Sequence, residues 1–315
     1  MASALKSTTL TKAYRWGGKS HEALRGVSLE VPKGAILGLI GRNGAGKTTF
    51  LRIASTSLLP TSGKMEILGH DVVDDCVTVR EQIAVIPQES RPFYWMTPRE
   101  LVFYYLTMRG HTQKDARTRA DEALGELGLG EWENTLVGRL SGGLRRRAMV
   151  AMVMASDAEM LFLDEPTTGL DPVARRSVWE AVRKAARKNR TIFLTTHYLD
   201  EAEALSSRLA LLDKGQLLAS GTREFISQKV KHPYRVVVEG GFTRGELEGY
   251  GDLTWLEDRW MIFTGEKEAR EISRLALERG ARLSLGPVSL EDIFLQIVGK
   301  DITKDETEEA EVAGA

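Results

Sequence analysis

The chain has 315 residues, enough for one large domain or two of ordinary size. Its 43 basic and 44 acidic side chains give a net charge of −1, so it lacks the basic excess that attracts nucleic acid. The single cysteine, Cys76, excludes an internal disulfide, and no apolar run approaches the ~18 residues that would span a bilayer. Residues 1–6 lack the apolar core of a signal peptide. A cytosolic setting fits, and any crossing of a membrane must fall to another polypeptide.

The first structural segment, residues 7–31, alternates weakly between polar and apolar side chains and predicts strands of a small antiparallel sheet. Tyr14 lies in it, ahead of a Gly-Gly turn. Its ring either packs on neighbouring strands or stacks on a purine base, because it precedes the glycine-rich loop described next by one strand pair.

That loop, residues 41–48, follows an apolar run at 35–40 that predicts a buried strand, and it precedes the start of a helix at 49–54. It fits the pattern G-x-x-x-x-G-K-[ST], in which a curled backbone points its N–H groups at one phosphate group and the helix dipole adds to the attraction. Lys47 supplies a cation for the outer phosphates, and the Thr48 hydroxyl suits Mg²⁺. The pattern predicts nucleotide binding.

A second apolar strand, at 83–87, ends at Gln88, which is either a solvated loop residue or a metal ligand. In the loop that follows, residues 93–96 are Phe, Tyr, Trp and Met, which either fold back as a hydrophobic plug or form a docking patch for another chain. Thr97 then opens a helical pattern that continues to residue 127 with a capping-box spacing. We predict a helical subdomain at about 91–156.

Residues 140–143 read Leu-Ser-Gly-Gly and open an apolar helix at 148–155. A hydroxyl and free N–H groups at a helix start form an anion-binding geometry, although an ordinary capped helix explains these residues equally well. The three arginines at 145–147 could form a solvated helix face.

Two carboxylates end the buried strand at 160–163, and they are costly there unless a cation or water receives them. Since the carboxyl ends of parallel strands face the ligand crevice, Asp164 suits the surroundings of Mg²⁺ and Glu165 suits a general base for an attacking water. His197 ends the strand at 191–196 and is either structural or within reach of a terminal phosphate.

The order of these motifs resembles the nucleotide-binding subunit of ATP-binding cassette transporters over roughly residues 5–222. The resemblance implies an α/β P-loop NTPase core with an antiparallel β subdomain and a helical insert. It also implies catalytic roles for Lys47, Glu165 and His197, and Mg²⁺ ligation by Thr48 and Gln88 with Asp164 nearby. The implied ATP contacts are Tyr14, Gly41, Asn43, Gly44, Ala45, Gly46, Lys47, Thr48, Thr49, Gln88, Ser141, Gly143 and Asp171.

In such a family, Ser141 and Gly143 would reach the ATP held by an opposite subunit, either a second copy or a paralogous ATPase. Leu144 stands where the commonest form of the signature has Gln, and this variant resembles the branch that exports drugs, lipids or polysaccharides. A membrane permease would then dock between Gln88 and Met96, which places the chain on the inner face of the cell membrane with no nucleic acid as partner. The alternative is a soluble cassette ATPase acting on ribosomes or DNA.

After residue 222 the pattern changes to a linker at 223–232 and a small α+β domain at 233–300. This domain carries no cluster that suggests catalysis. Of the two roles considered for it, a packing or dimer-supporting role is expected ahead of a ligand-sensing one. Residues 301–315 are acidic and small, and they predict a disordered tail.

Overall fold

The computed structural model describes residues 2–88, 93–256 and 258–298, and the chain divides into two compact units, Met1–Ser220 and Gly221–Ala315. The predicted tail at 301–315 lies outside the described residues. Within the described residues, no helix combines the length and the apolar character needed to cross a bilayer.

The first unit contains ten strands and seven α-helices among its described residues, with two short 3-10 helices at Gly130–Trp132 and Val137–Arg139. The strands are β1 (Ser3–Trp16), β2 (Lys19–Pro32), β3 (Ile36–Ile40), β4 (Ser62–Ile67), β5 (His70–Asp71), β6 (Ile83–Ile86), β7 (Met160–Asp164), β8 (Thr191–Thr196), β9 (Arg208–Asp213) and β10 (Gln216–Gly221). The helices are α1 (Lys47–Ala54), α2 (Cys76–Gln82), α3 (Pro98–Met108), α4 (Gln113–Glu126), α5 (Gly142–Ala155), α6 (Pro172–Arg187) and α7 (Leu199–Leu205).

A six-stranded sheet with the order β10-β9-β3-β8-β7-β6 forms the centre of this unit. The strands β3, β7 and β8 are buried along their whole length, which explains their continuous apolar sequences. The neighbouring strands β9, β3, β8, β7 and β6 all run parallel to one another. Ile40 is paired to Thr196, and Asp164 is paired to Thr195. The segments that follow β3, β6, β7 and β8 therefore all leave the sheet at one edge, which we call the carboxyl edge.

Both faces of the six-stranded sheet are covered. On one face, α1 and the antiparallel sheet β2-β1-β4-β5 share a core with Phe162 and Phe193, and Phe50 of α1 stacks on Phe193 with ring centroids 5.6 Å apart. On the other face, Leu161 and Leu163 pack into a core with α3 to α6. Successive residues of β7 thus serve opposite faces, as the period of a strand requires.

The helical insert begins as its sequence predicts. Thr97 accepts a hydrogen bond from the backbone N–H of Glu100 at 3.2 Å, and the Glu100 carboxylate accepts one from the N–H of Thr97 at 2.9 Å. The helical pattern that continues to residue 127 is, however, two helices, α3 and α4. Gly110 adopts a φ of 92° between them, and Thr112 caps the second helix.

The second unit consists of a four-stranded sheet and helices. Its elements are α8 (Arg223–Ser227), β11 (Tyr234–Glu239), α9 (Arg244–Leu247), β12 (Asp252–Leu256), β13 (Arg259–Thr264), α10 (Glu266–Glu278), β14 (Arg282–Pro287) and α11 (Leu290–Val298), with the sheet order β12-β13-β11-β14. Ile272 of α10 packs against Val236 and Ile262. The predicted linker at 223–232 is partly helical, because α8 buries Ile226 and packs on α11.

Candidate active site

The phosphate loop between β3 and α1 depends on two glycines that no other residue could replace without a shift of the backbone. A Cβ at Gly41 would lie 2.2 Å from the carbonyl oxygen of Leu212, and one at Gly46 would lie 2.5 Å from that of Ala23. Gly46 also adopts a φ of 104° directly before α1. These close approaches set the curvature of the loop over the start of the helix.

Lys47 lies at the centre of this loop and is buried. Its Nζ donates to the carbonyl oxygens of Gly41 at 2.7 Å and of Arg42 at 3.0 Å. Burial lowers the pKa of Lys47, and the charges of Glu165 and Asp164 act in the opposite direction. The ammonium group therefore donates to the loop and is influenced by the charges of two nearby acids, and phosphate oxygens would be stronger acceptors for it than the two carbonyl oxygens.

Three side-chain oxygens that could bind a metal ion come from three different segments and meet beside the loop. The Thr48 hydroxyl lies 3.4 Å from Gln88 Oε1 and 3.4 Å from Asp164 Oδ1. Asp164 is buried, and it also accepts a hydrogen bond from the Thr195 hydroxyl. Burial raises the pKa of Asp164, while the hydrogen bonds from Thr195 and Thr48 lower it.

This donor set fits Mg²⁺. Neighbouring ligands of an octahedral Mg²⁺ lie about 2.9 Å apart, so small side-chain rotations would bring these oxygens into place. Among the described residues, no group of three or more His, Cys, Asp or Glu side chains could hold a metal ion. A metal at this place would therefore rely on hydroxyl, amide and phosphate oxygens in addition to one carboxylate.

Glu165 occupies a strained position at the end of β7. Its φ is 49°, in the left-handed region that non-glycine residues rarely adopt, and its N–H donates to the carbonyl oxygen of Thr195 at 3.1 Å. Its carboxylate contacts His197 Nδ1 at 3.2 Å, Thr168 Oγ1 at 3.1 Å and Gln88 Nε2 at 3.4 Å. The hydrogen bond with His197 is the largest of the effects that lower the pKa of Glu165. The side chain is thus an oriented carboxylate at neutral pH.

An open cavity of about 370 Å³ joins these groups to the antiparallel sheet. Tyr14 lies at its rim with 39% of its surface exposed, and its hydroxyl lies 3.4 Å from that of Thr49. The described lining residues are Tyr14, His21, Ala23, Asn43, Gly44, Ala45, Gly46, Lys47, Thr48, Thr49, Gln88 and Glu165. The structure therefore brings the phosphate loop, Gln88 and Glu165 to one space, and His21 and Ala23 are lining residues that the sequence did not reveal.

Four predicted ATP contacts are absent from the described lining of this cavity. One is Gly41, whose carbonyl oxygen accepts a hydrogen bond from Lys47, and the other three are Ser141, Gly143 and Asp171. Ser141 is exposed at the start of α5, where its hydroxyl accepts from the N–H of Leu144 at 3.3 Å. Asp171 caps α6 by accepting from the N–H groups of Val173 and Ala174, both at 2.9 Å. Their expected contact with a nucleotide on another chain stays a prediction.

The arginines at 145–147 do not form a solvated face. Arg145 donates to the carbonyl oxygen of Leu140 at 2.9 Å, and Arg147 donates to that of Leu127 at 2.9 Å. Arg146 contacts backbone carbonyls at the ends of β6 and β7. All three are half-buried, and the partners of Arg146 and Arg147 come from other segments, which a helical periodicity does not reveal.

Glu201 is another residue that the sequence analysis missed. It is fully buried in α7, and it accepts hydrogen bonds from the Thr167 hydroxyl at 2.8 Å and from Trp179 Nε1 at 3.2 Å. It thereby joins the segment after Glu165 to the helix after His197. Burial raises its pKa.

Comparison with known proteins agrees with this geometry. The family model described as ABC transporter matches residues 24–168. The chain is 36% identical over 98% of its length to the daunorubicin/doxorubicin resistance ATP-binding protein DrrA of Streptomyces peucetius, of which it covers 96%. The chain belongs to the ABC transporter family. It is the ATP-hydrolysing subunit of an export-type transporter, and the alternative role on ribosomes or DNA is not favoured.

Other relatives share only part of their length with it. Human phospholipid-transporting ATPase ABCA3 is 33% identical over 76% of this chain, but the chain spans only 14% of that protein. Among solved structures, a dimeric post-hydrolysis state of the ATP-binding cassette MJ0796 bound to ADP and Pi matches 69% of this chain and 98% of that one, with 25% identity and a TM-score of 0.65. The P-loop NTPase fold implied by the motif order is therefore confirmed.

Proposed function

We propose that the chain hydrolyses ATP at the carboxyl edge of its six-stranded sheet, with two such chains enclosing two ATP molecules. The observation that supports this most strongly is that the phosphate loop with Lys47 and Thr48 meets the end of β7 with Asp164 and Glu165, although Thr48 and Asp164 are 116 residues apart in the chain. In-line transfer of a phosphoryl group to water depends mainly on position and charge, and this edge supplies both.

The phosphate-binding part consists of the loop and Lys47. On binding, the Lys47 ammonium would exchange the carbonyl oxygens of Gly41 and Arg42 for phosphate oxygens, which are stronger partners because they carry charge. Thr48, Gln88 and Asp164 would hold Mg²⁺, which neutralises charge that develops on the phosphates. Tyr14 would stack on the adenine at the rim of the cavity.

The water-activating part consists of Glu165 and its neighbours. Its carboxylate would orient a water molecule for attack on the terminal phosphorus and accept a proton from it, while the bond from that phosphorus to the oxygen of the leaving ADP breaks. Thr168 and His197 fix the carboxylate from two directions. His197, whose side chain is 39% exposed, would also contact the terminal phosphate.

The second chain would supply Ser141 and Gly143. Both stand at the start of α5, where free N–H groups and the helix dipole favour an anion, and Ser141 is exposed. The dimeric state of the structurally similar cassette supports this arrangement. Each ATP would then contact both chains, so binding closes the pair and hydrolysis releases it.

The transport partner would be a membrane permease that docks on the surface between Gln88 and Met96, holding the ATPase on the inner face of the membrane. Within this stretch, Phe93, Tyr94 and Trp95 are described, and they are 49%, 44% and 69% exposed. Exposed aromatic side chains of this kind are enriched at protein interfaces. The names of the relatives point to a drug or a lipid as cargo.

The test is a comparison of Glu165→Gln with Lys47→Ala by light scattering after size-exclusion chromatography with Mg²⁺ and ATP. We expect Glu165→Gln to lose turnover roughly 10²–10³-fold, because the proton acceptor is gone, and to accumulate as an ATP-bound dimer. Lys47→Ala should remain a monomer. A Glu165→Gln protein that stays monomeric with ATP bound, or that turns over at the wild-type rate, would contradict the proposal.

A further inference from the structure

Arg146 connects the ends of two strands, β6 and β7, at the carboxyl edge through one guanidinium group. Its Nη1 donates to the carbonyl oxygen of Pro87 at 2.9 Å, after the end of β6. Its Nη2 donates to the carbonyl oxygens of Asp164 and, at 2.8 Å, Glu165, at the end of β7. A planar fork of donors is suited to hold several acceptors in a fixed relation.

The peptides held by Arg146 carry the reacting side chains. Gln88 directly follows Pro87, and the carbonyl groups of Asp164 and Glu165 lie on either side of the backbone of Glu165, whose φ is 49°. A residue in this region persists only where surrounding contacts hold it there. The N–H of Glu165 is held by Thr195, and its carbonyl group is held by Arg146.

Arg146 also belongs to the helix that begins at the exposed Ser141. It lies in the second turn of α5, so the start of that helix and the end of β7 are connected through a single side chain. Burial lowers the pKa of Arg146, and the charges of Asp164 and Glu165 act in the opposite direction. An arginine side chain stays protonated in proteins, so its N–H groups are all donors.

We propose that Arg146 is a positioning residue for hydrolysis. It holds the backbone of Glu165 and the segment that leads into Gln88 at fixed positions relative to α5. This inference rests on the proposed role of Glu165 and adds the group that orients it. Arg146 itself does not touch the nucleotide in this account. Its loss should displace the carboxylate from the attacking water while leaving the phosphate loop intact.

The test compares Arg146→Gln and Arg146→Lys with Arg190→Gln in the full chain. Arg190 is a matched control, because it is also half-buried and donates to backbone carbonyls, including Ala158 at 2.8 Å and Met154 at 3.0 Å, ahead of β7. We expect Arg146→Gln to lower kcat about 10–100-fold per folded molecule, with the KM for MgATP changed less than about threefold. Arg146→Lys should recover part of the loss, since one ammonium keeps the charge without the fork.

A double substitution tests whether Arg146 acts through Glu165. In the Glu165→Gln background, Arg146→Gln should reduce the residual turnover less than about threefold, because the group that it positions is already gone. A full additional loss, or a kcat for Arg146→Gln equal to that of Arg190→Gln, would overturn the inference. An active Glu165→Gln protein would instead overturn the role of Glu165 itself, and this inference with it.

Discussion

A half-buried arginine binds backbone carbonyl groups at the carboxyl edge of the six-stranded sheet, and another does so at the opposite edge, where the parallel strands begin, which we call the amino edge. The two edges have different roles. At the amino edge, Arg190 donates to carbonyl oxygens ahead of β7 and to the Ser156 hydroxyl at 3.2 Å, and burial lowers its pKa to about 10. At the carboxyl edge, Arg146 donates to similar carbonyl oxygens. The chemistry of the two contacts is the same, and the groups around them differ.

The amino edge leads directly into buried, regular strands, whereas the carboxyl edge holds a strained Glu165, a buried Asp164 and a buried Lys47. Burial disfavours the charged forms of Asp164 and Lys47, so these two groups cost stability unless a ligand compensates their charge. The comparison teaches that stability and function are divided between the ends of the same strands. Substitutions at the carboxyl edge should therefore reduce turnover, and substitutions at the amino edge should reduce the free energy of unfolding.

Asp164→Asn is expected to reduce turnover as much as Glu165→Gln does. Removing this charge weakens the hold on Mg²⁺, and we expect kcat to fall about 10²–10³-fold. The melting temperature of the free protein should rise at neutral pH, because burial raises the pKa of Asp164 and its ionised form therefore costs folding free energy.

The pH dependence of that gain has a definite sign. When the pKa of a carboxyl group is higher in the folded state than in the unfolded state, the free energy of unfolding falls as pH rises from the unfolded pKa through the folded pKa. Below both pKa values the group is protonated in both states and has no effect. The melting temperatures of Asp164→Asn and wild type should therefore converge in acid and separate towards neutral pH. A melting temperature for Asp164→Asn that is lower than wild type at pH 7 would break the comparison.

A smaller loss of turnover is expected from His197→Ala, roughly 10²-fold at most. His197 is the main group that lowers the pKa of Glu165, so its removal should raise that pKa. Glu165 would then be protonated at higher pH, and the acid limb of the kcat profile should move to higher pH. The matched control is His70→Ala, which removes a half-buried imidazole near Asp75. An acid limb that stays at the same pH in His197→Ala would contradict the claim that His197 lowers the pKa of Glu165.

No change in turnover per folded molecule is expected from Arg190→Gln. The substitution leaves several buried carbonyl acceptors without a charged donor, and we expect a loss of about 2–4 kcal/mol in the free energy of unfolding. Urea unfolding followed by circular dichroism would measure it, with Arg190→Lys as the milder variant. A loss of kcat with unchanged stability would reverse the assignment of the two edges.

Much of the carboxyl edge could be predicted from the sequence, because local patterns determine it. The phosphate loop, Gln88, Glu165 and His197 each end an apolar strand, and parallel strands bring such ends together. The capping box at Thr97 was confirmed for the same reason, since its partners are three residues apart.

The contacts across segments could not be predicted. Arg146 lies 59 residues from Pro87, and Glu201 lies 34 residues from Thr167. A single sequence does not reveal which carbonyl or hydroxyl group an arginine or a buried carboxylate will meet. The break at Gly110 was missed because the amphipathic pattern continues on both sides of it.

The most direct test of the account mixes two inactive variants. Lys47→Ala removes the phosphate-binding cation of its own chain, and Ser141→Arg blocks the surface offered to the nucleotide of the opposite chain. In a mixed pair, the intact loop of one chain faces the intact Ser141 of the other, so an equal mixture should recover about a quarter of wild-type ATP turnover by random pairing. A mixture no more active than the two variants measured separately would contradict the composite site.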